Sequence, residues 1–204
     1  MYLLVKEHLL LKIIVFHHHH SLWVWKGAST VPSAYIHDHE EVTAVINGMY
    51  YGKDGKSMGI AYANGEEYAN GDKKQVTGYF SISKSGKVRI TESLTNKKNY
   101  NFVIGTRPLL VTESEVNYQA KKERYAGPAA YRSAIGVKEG NVCFAVSEHP
   151  VKMQEWAELL QRAGYSGALN LDGGPVSELA VREDKVKSYG PGNLNTQLVI
   201  FASR

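Results

Sequence analysis

The segment YFSISKSGKVRI, residues 79–90, alternates apolar and polar side chains on either side of a Ser-Gly pair. Such alternation is typical of half-buried β-strands, and a Ser-Gly pair between two runs indicates a turn. The same arrangement recurs where residues 134–137 and 142–146 flank a polar turn, and where a strand at residues 59–63 ends at Asn64-Gly65. Because short turns join antiparallel strands, these hairpins predict a largely antiparallel β-sheet.

One segment has the period of a helix instead. Apolar side chains recur there three and four residues apart, at Met153, Trp156, Ala157, Leu160 and Ala163. Pro150 suits the first position of a helix, and Gly164 suits its C-terminal cap. The sequence therefore predicts one long helix near residues 150–163, in an α+β fold with a mixed, largely antiparallel β-sheet and few helices.

The composition restricts the class of protein. Of the 204 residues, 43% are hydrophobic and 22% are charged, which is typical of one packed domain rather than a disordered chain. The net charge of +4 comes without a dense Lys/Arg run, so the sequence predicts no nucleic-acid partner. The single cysteine, Cys143, excludes an intrachain disulfide and fits a small buried side chain in a strand.

The first 33 residues differ from the rest of the chain. Residues 9–16 are apolar, but Lys12 interrupts them, and the run is too short and too charged to cross a membrane. It resembles a poor signal-peptide core. His17 to His20 fit a metal-binding tract or, more simply, a surface tract without a catalytic role. We therefore expect residues 1–33 to form an N-terminal arm, either disordered or a poor signal or anchor segment. A domain without a stable membrane span would follow at residues 34–204.

The segment richest in chemical groups is Asn170-Leu171-Asp172-Gly173-Gly174. A predicted strand delivers the Asp172 carboxylate at its end, and the two glycines after it let the backbone come close to a ligand. Successive free N–H groups in such a turn bind anions such as phosphate. Taken alone, however, these residues favour an ordinary Asp-Gly turn between two strands.

Three other segments supply candidate groups. Glu155, in the first turns of the predicted helix, is a second carboxylate, although a glutamate there also complements the helix dipole. Arg132 begins an apolar strand, where an arginine either binds phosphate bidentately or lies at the surface. Residues 47–51, Asn-Gly-Met-Tyr-Tyr, follow a buried strand. Their amide and rings fit contacts with a sugar, and they equally fit a plain turn with core aromatics.

A metal site is the alternative suggested by residues 37–41, His-Asp-His-Glu-Glu. Two histidines at i and i+2 on a strand share a face, but the spacing shows no third and fourth ligand. The chain also contains no phosphate-loop lysine motif and no His-Glu-x-x-His motif. The sequence thus predicts neither a metal nor another cofactor.

In chain order, these segments resemble the phosphodiester glycosidase domain family, which includes N-acetylglucosamine-1-phosphodiester α-N-acetylglucosaminidase and many bacterial proteins. The resemblance covers roughly Ala44 to Phe201. Its most specific motif is the Asn-Leu-Asp-Gly-Gly segment at residues 170–174. The Arg-Ser-Ala-Ile-Gly stretch at residues 132–136 is next, and residues 107–111 look like the family's Pro-Leu-Leu-Val strand.

The resemblance implies a hydrolase that cleaves a sugar-1-phosphodiester without a cofactor. Carried over residue by residue, it makes Asp172 and Glu155 the acidic residues and Arg132 the phosphate-binding residue. It also implies a set of residues that line the substrate pocket: Asn47, Gly48, Asn170, Gly173, Gly174 and Ser177. The expected substrate is a small molecule or glycan that carries a phosphodiester.

Two departures from the family pattern keep a second function open. Pro175 and Val176 stand where a Gly and a Ser are common, and residues 149–151, His-Pro-Val, replace a longer glycine-containing loop. A non-catalytic glycan- or phosphoglycan-binding module on the same fold is the alternative, and a phosphodiesterase with metal at His37 and His39 is the weaker one. Family members are commonly exported. The resemblance therefore implies a bacterial protein that is extracytoplasmic or secreted, with a cytoplasmic location left open.

Overall fold

The computed structural model describes residues 4–8, 11–16, 21–122 and 127–203. About half of these residues lie in antiparallel strands, and the helices among them are few. The strands are β1 (Leu4–His8), β2 (Leu11–Phe16), β3 (Ser21–Thr30), β4 (Val42–Asn47), β5 (Ile60–Ala63), β6 (Glu66–Asn70), β7 (Gly78–Ser83), β8 (Val88–Thr91), β9 (Tyr100–Thr106), β10 (Leu109–Thr112), β11 (Glu115–Val116), β12 (Ser133–Lys138), β13 (Asn141–Ser147), β14 (Gly167–Asn170), β15 (Leu179–Arg182), β16 (Val186–Tyr189) and β17 (Thr196–Ser203). The α-helices are α1 (Pro32–Asp38), α2 (Tyr118–Lys121) and α3 (Met153–Arg162).

The strands form three sheets. A seven-stranded sheet has the order β1-β2-β13-β12-β14-β10-β11, and two five-stranded sheets have the orders β16-β15-β4-β17-β3 and β6-β5-β9-β7-β8. The predicted antiparallel pairing is confirmed, and the hairpin at residues 79–90 is β7 with β8, where Tyr79 pairs with Thr91. The mixed part of the prediction is wrong for the residues that the structure describes, because every strand pairing among them is antiparallel.

Two large cores hold the sheets together. The main core collects buried side chains from all three sheets, among them Ile46, Phe80 and Leu169. A second core covers the opposite face of the seven-stranded sheet, where α3 inserts the fully buried Trp156. Side chains of successive strand residues point to opposite faces of a sheet. Because β12 and β13 are covered on both faces, their sequences are nearly continuous apolar runs instead of alternating ones.

The predicted helix is present as α3, but its ten residues give it ordinary length rather than the long helix expected. Gly164 takes the predicted cap position with a φ of +88°, and its N–H donates to the Gln161 carbonyl. Pro150 is not the first helical residue. Val151 first forms a bridge with Ala130, and the helix begins only at Met153.

The chain before residue 34 is interpreted from sequence as an arm outside the domain. In the structure β2 pairs with β13 and β3 pairs with β17, and all six residues of β2 are buried. The described part of this region therefore belongs to the sheets and to the cores. The histidine tract at residues 17–20 lies outside the described residues. None of the helices in the described ranges has the length and apolar character needed to cross a bilayer.

Candidate active site

Three strand ends meet where two of the sheets adjoin. Asn47 ends β4, Ser133 begins β12 and Asn170 ends β14. The Asp172 N–H donates to the Gly48 carbonyl at 2.9 Å, so the segment after β14 is hydrogen-bonded to the segment after β4. One five-stranded sheet and the seven-stranded sheet thereby contribute neighbouring parts of a single site.

The Asn47 side chain is fully buried and ties these segments together. Its Nδ2 donates to the Asp172 carbonyl at 2.8 Å, while its Oδ1 accepts from the Ser133 hydroxyl at 2.7 Å and from the Glu178 N–H at 3.1 Å. The Ser133 hydroxyl and the Glu178 N–H need these hydrogen bonds because they are removed from water, and the Asp172 carbonyl belongs to a half-buried residue. Asn47 therefore positions Asp172, and its burial corrects the expectation that it lines the substrate pocket.

Gly48 is required by the close approach of two strands. Its N–H donates to the Leu198 carbonyl at 2.8 Å. A Cβ on Gly48 would lie 2.4 Å from Leu198 Cδ2 and 2.7 Å from the Leu198 carbonyl oxygen. Gly48 is buried, so it too supports the site from behind instead of facing a substrate.

Asp172 is the carboxylate at the centre of the site. Its Oδ1 accepts the Gly173 N–H at 2.9 Å. Burial raises the pKa of this carboxyl to about 6, against the opposing effect of the Gly173 hydrogen bond. A carboxyl with that pKa is ionised in most molecules at pH 7 and can still exchange a proton near neutrality, which suits a nucleophile or a general base.

The two glycine amides do not form the anion cradle that the sequence predicts. The Gly173 N–H is donated to Asp172, and the Gly174 N–H is donated to the Tyr131 carbonyl at 2.8 Å. Gly174 has a φ of +71°, a conformation that favours glycine. The glycines instead shape the turn that presents the Asp172 carboxylate, and donors for an anion must come from side chains.

Arg132 supplies such donors beside this turn. Its Nε donates to the Val151 carbonyl at 3.2 Å and its Nη2 to the Pro128 carbonyl at 3.0 Å. Its Nη1 lies 3.6 Å from the position of a Cβ on Gly173, which places the guanidinium against the glycine turn. Burial lowers the pKa of Arg132, with Tyr50 opposing the shift. Arg132 has no ion pair with any carboxylate in the described ranges.

Two tyrosines complete the polar surroundings of Asp172. The Tyr50 hydroxyl accepts from Asn170 Nδ2 at 2.5 Å, and burial followed by the Asp172 charge raises the pKa of Tyr50 above its usual range. Burial and the Asp172 charge also raise the pKa of Tyr51 to about 12. The buried Tyr51 hydroxyl has no hydrogen-bond partner among the described residues. Both phenols therefore keep their protons at neutral pH. The sequence leaves these tyrosines open as either sugar contacts or core aromatics.

Glu155 and Ser177 are not brought to Asp172 by any contact that the structure describes. Glu155 is exposed in the first turn of α3, whose buried residues face the seven-stranded sheet. Ser177 is fully buried, and its hydroxyl lacks a partner within the described part of the chain. Asn170 is likewise fully buried and contacts Tyr50, so it acts through that hydroxyl.

Glu178 is a buried carboxylate that the sequence does not single out. Its two oxygens accept from the Ser188 hydroxyl and from the Ser33 N–H, the latter at 3.3 Å, and its own N–H donates to Asn47. It therefore links α1 and β16 to the site from the inside. No sequence signal separates it from an ordinary glutamate at the start of a strand.

The histidine cluster has a structural explanation. Residues 32–38 form α1 rather than the strand assumed for the metal hypothesis. His39 stacks on Tyr35 with ring centroids 4.1 Å apart, whereas His37 is exposed and lies 4.0 Å from Asp38. The described ranges contain no group of three or more His, Cys, Asp or Glu side chains that could hold a metal ion.

A model of the phosphodiester glycosidase family matches residues 40–201. The match includes all three segments that converge on Asp172 and most of the chain. The chain belongs to the phosphodiester glycosidase family. A search of curated proteins finds no match.

Solved structures resemble the fold of this chain. The catalytic domain of zebrafish N-acetylglucosamine-1-phosphodiester α-N-acetylglucosaminidase, auto-inhibited by its pro-peptide, has a TM-score of 0.77 at 16% identity, over 95% of this chain and 76% of that one. A hypothetical protein from Synechocystis has a TM-score of 0.71 at 13% identity, over 98% of this chain and 61% of that one. A candidate exported protein from Burkholderia pseudomallei K96243 has a TM-score of 0.56 at 11% identity, over 95% of this chain and 74% of that one.

The departure at Pro175 and Val176 leaves the glycine turn intact. Residues Gly174–Val176 form a single 3-10 turn, and the Pro175 carbonyl accepts the N–H groups of Asn193 and Leu194. Proline therefore fixes the segment after Asp172 to the loop before β17. The Asp172 carboxylate keeps its hydrogen bond from the Gly173 N–H.

Proposed function

We propose that this phosphodiester glycosidase is a hydrolase that cleaves the bond between the anomeric carbon of a sugar and a phosphodiester oxygen. The observation that supports the proposal is that the Arg132 guanidinium lies against the glycine turn that follows the Asp172 carboxylate. A sugar-1-phosphodiester needs both a carboxylate at its anomeric carbon and a cation at its phosphate. Family membership supports the same class of reaction.

Asp172 acts on the anomeric carbon in this proposal. As a nucleophile it would form a bond to that carbon while the carbon–oxygen bond to phosphate breaks and the phosphomonoester leaves with the electron pair; water then releases the sugar. As a base it would take a proton from the attacking water. Either role requires the ionised carboxylate, which the pKa of about 6 provides at neutral pH.

Arg132 binds the phosphate. Its Nε and Nη2 are held by two carbonyl groups, which fixes the plane of the guanidinium, and its Nη1 faces the turn that carries Asp172. A fixed guanidinium stabilises the charge that grows on the phosphate oxygen as the bond breaks, without having to reorganise. Because the Gly173 and Gly174 amides are already donated within the protein, side chains provide the phosphate contacts.

The leaving phosphomonoester is a weak base, so its departure needs little protonation. The Tyr50 hydroxyl keeps its proton and accepts from Asn170, which leaves its O–H free to donate toward the space beside Asp172. The Tyr51 hydroxyl is buried, so it belongs to the polar surroundings of Asp172 and is not assigned a substrate contact. Glu155, the acid/base partner suggested by sequence, has no described contact with these groups, and we assign the chemistry to Asp172.

The substrate class proposed is a glycan or small sugar linked through its anomeric oxygen to a phosphodiester. The zebrafish relative is named as a glycosidase of such a phosphodiester, although 16% identity supports only the shared fold. We extend the proposal to an extracytoplasmic location because one structural relative is described as a candidate exported protein.

The experiment is hydrolysis of alkyl phosphodiesters of hexose 1-phosphates in water enriched in oxygen-18, followed by mass spectrometry of both products. Cleavage at the anomeric carbon places the label in the released sugar and none in the phosphomonoester. Label in the phosphomonoester would contradict the proposed bond. Saturable binding without any product would favour a non-catalytic glycan-binding module instead.

A further inference from the structure

Arg107 is a half-buried arginine that lies between β9 and β10 and has almost no protein partner. Its one described hydrogen bond runs from Nη2 to Met58 Sδ at 4.0 Å, and a thioether is a weak acceptor. No carboxylate in the described ranges forms an ion pair with it. By comparison, Arg182 also lacks a described ion pair but donates to three backbone carbonyls. A partly buried guanidinium with this many free donors favours an anionic ligand.

The backbone fixes Arg107 next to the Tyr50 side of the site. The carbonyl of the next residue, Pro108, accepts the Asn170 N–H at 3.1 Å, and the Asn170 side chain holds the Tyr50 hydroxyl. On the other side, the Met58 N–H donates to the Tyr50 carbonyl at 2.9 Å. Two routes therefore connect Arg107 to Tyr50, one through Pro108 and Asn170 and the other through Met58.

The charge of Arg107 acts on the Tyr50 hydroxyl inside the site. Arg107 and Arg132 both hold down the pKa of Tyr50 against the stronger effects of burial and of Asp172. Met58 also lines an open groove of about 560 Å³, together with parts of the segments 52–57 and 69–75. Space for a ligand therefore adjoins Met58, the hydrogen-bond partner of Arg107.

We propose that Arg107 is a second phosphate-binding residue, which contacts the substrate phosphodiester together with Arg132. The inference rests on the proposed function and extends it. With Asp172 ionised, two guanidinium groups and one carboxylate give the site a net charge of +1, which matches the single negative charge of a phosphodiester. Arginine presents paired N–H donors to two phosphate oxygens, whereas a neutral sugar gains nothing from a second cation.

The test begins with binding of inorganic phosphate to the full chain, measured by calorimetry at constant ionic strength with chloride as the reference ion. Arg107→Gln is expected to weaken phosphate binding about tenfold, the loss of one charge-assisted contact. Arg107→Lys keeps the charge but not the paired donors, so a smaller loss is expected. Arg89→Gln removes an exposed arginine on β8 and should bind phosphate like the wild type.

Hydrolysis kinetics separate this inference from the proposed function. If sugar-1-phosphodiesters are hydrolysed, Arg107→Gln should raise KM about tenfold with a smaller change in kcat, while its circular dichroism and Tm match the wild type. Phosphate binding and KM that are unchanged in both Arg107 variants would overturn the inference and leave the proposed function standing. Phosphate binding that depends on Arg107, without hydrolysis of any phosphodiester, would support the inference and contradict the proposed function. Failure of the wild type to bind phosphate would also overturn the inference.

Discussion

Replacing Asn47 with alanine should weaken the protein and its active site together. The side chain makes three hydrogen bonds of 3.1 Å or shorter, to Asp172, Ser133 and Glu178, and is fully buried. Asn47→Ala leaves each partner without that bond, and each buried unsatisfied group costs about 1–3 kcal/mol. Allowing for shared relaxation, we expect a loss of about 3–6 kcal/mol in the free energy of unfolding, a large share of a typical total of about 5–15 kcal/mol.

Urea unfolding followed by circular dichroism measures this loss, and the Tm should fall by roughly 10–20 °C. Asn101→Ala is the matched control, because Asn101 is exposed on β9 and its side chain makes no described hydrogen bond; its effect should stay within about 0.5 kcal/mol. The kcat of Asn47→Ala should also fall at a temperature where the variant remains folded, since the Asp172 backbone loses its anchor. A stability loss below about 1 kcal/mol would refute the view that Asn47 ties the strand ends together.

Asp172→Asn should stabilise the fold by about 1–3 kcal/mol above pH 6 and hardly at all near pH 4. Folding raises the pKa of this carboxyl to about 6, so the free-energy cost of its buried charge grows between about pH 4, the usual pKa of an aspartate, and pH 6, and is complete above that. Thermal melts at both pH values test this, and equal effects would contradict the assigned burial. Wild-type kcat/KM should fall tenfold per pH unit below about pH 6 as the carboxylate is protonated; a flat pH profile would exclude Asp172 as nucleophile or base. Gly48→Ala should lower the free energy of unfolding by about 1–3 kcal/mol, because its Cβ would overlap β17. The control Gly52→Ala meets only the exposed Asp54 side chain at short range and should have a smaller effect. Equal Tm values for the two variants would count against the close approach at Gly48. Glu155→Gln should retain kcat within about threefold, like the Glu158→Gln control on the same helix, and a loss of a hundredfold would restore Glu155 as the acid/base partner.

The sequence predicts the strands well because their signal is local. Alternation on both sides of the Ser-Gly turn at residues 79–90 is enough to indicate β7 and β8, and the helical spacing after Met153 is enough for α3. Sheet order is not local: β3 and β17 are far apart in the chain and lie side by side. The apolar run of β2 is interrupted by Lys12, so it does not read as a buried strand, yet packing on two cores buries it on both faces.

For the candidate site too, some residues can be found from the sequence and the roles of others appear only in the fold. Asp172 and Arg132 are candidates because the stretches that carry them resemble family motifs; taken alone, these residues favour an ordinary turn and a surface arginine. The roles of Asn47 and the glycine amides are not visible, since burial and internal hydrogen bonding decide whether a polar group faces a ligand or the protein. Arg107 begins the stretch that looks like the family's Pro-Leu-Leu-Val strand, but the sequence gives it no role, and its weak hydrogen bond in the folded chain is what singles it out.

The most direct test of the central claim compares the wild type with Asp172→Asn on a panel of sugar-1-phosphodiesters, with free sugar and free phosphomonoester both quantified over time. We expect the wild type to release the two products in equal amounts and the variant to be slower by at least about a hundredfold, with binding retained. Equal rates for the two proteins, or no product from any member of the panel, would contradict the assignment of Asp172 as the group that acts on the anomeric carbon.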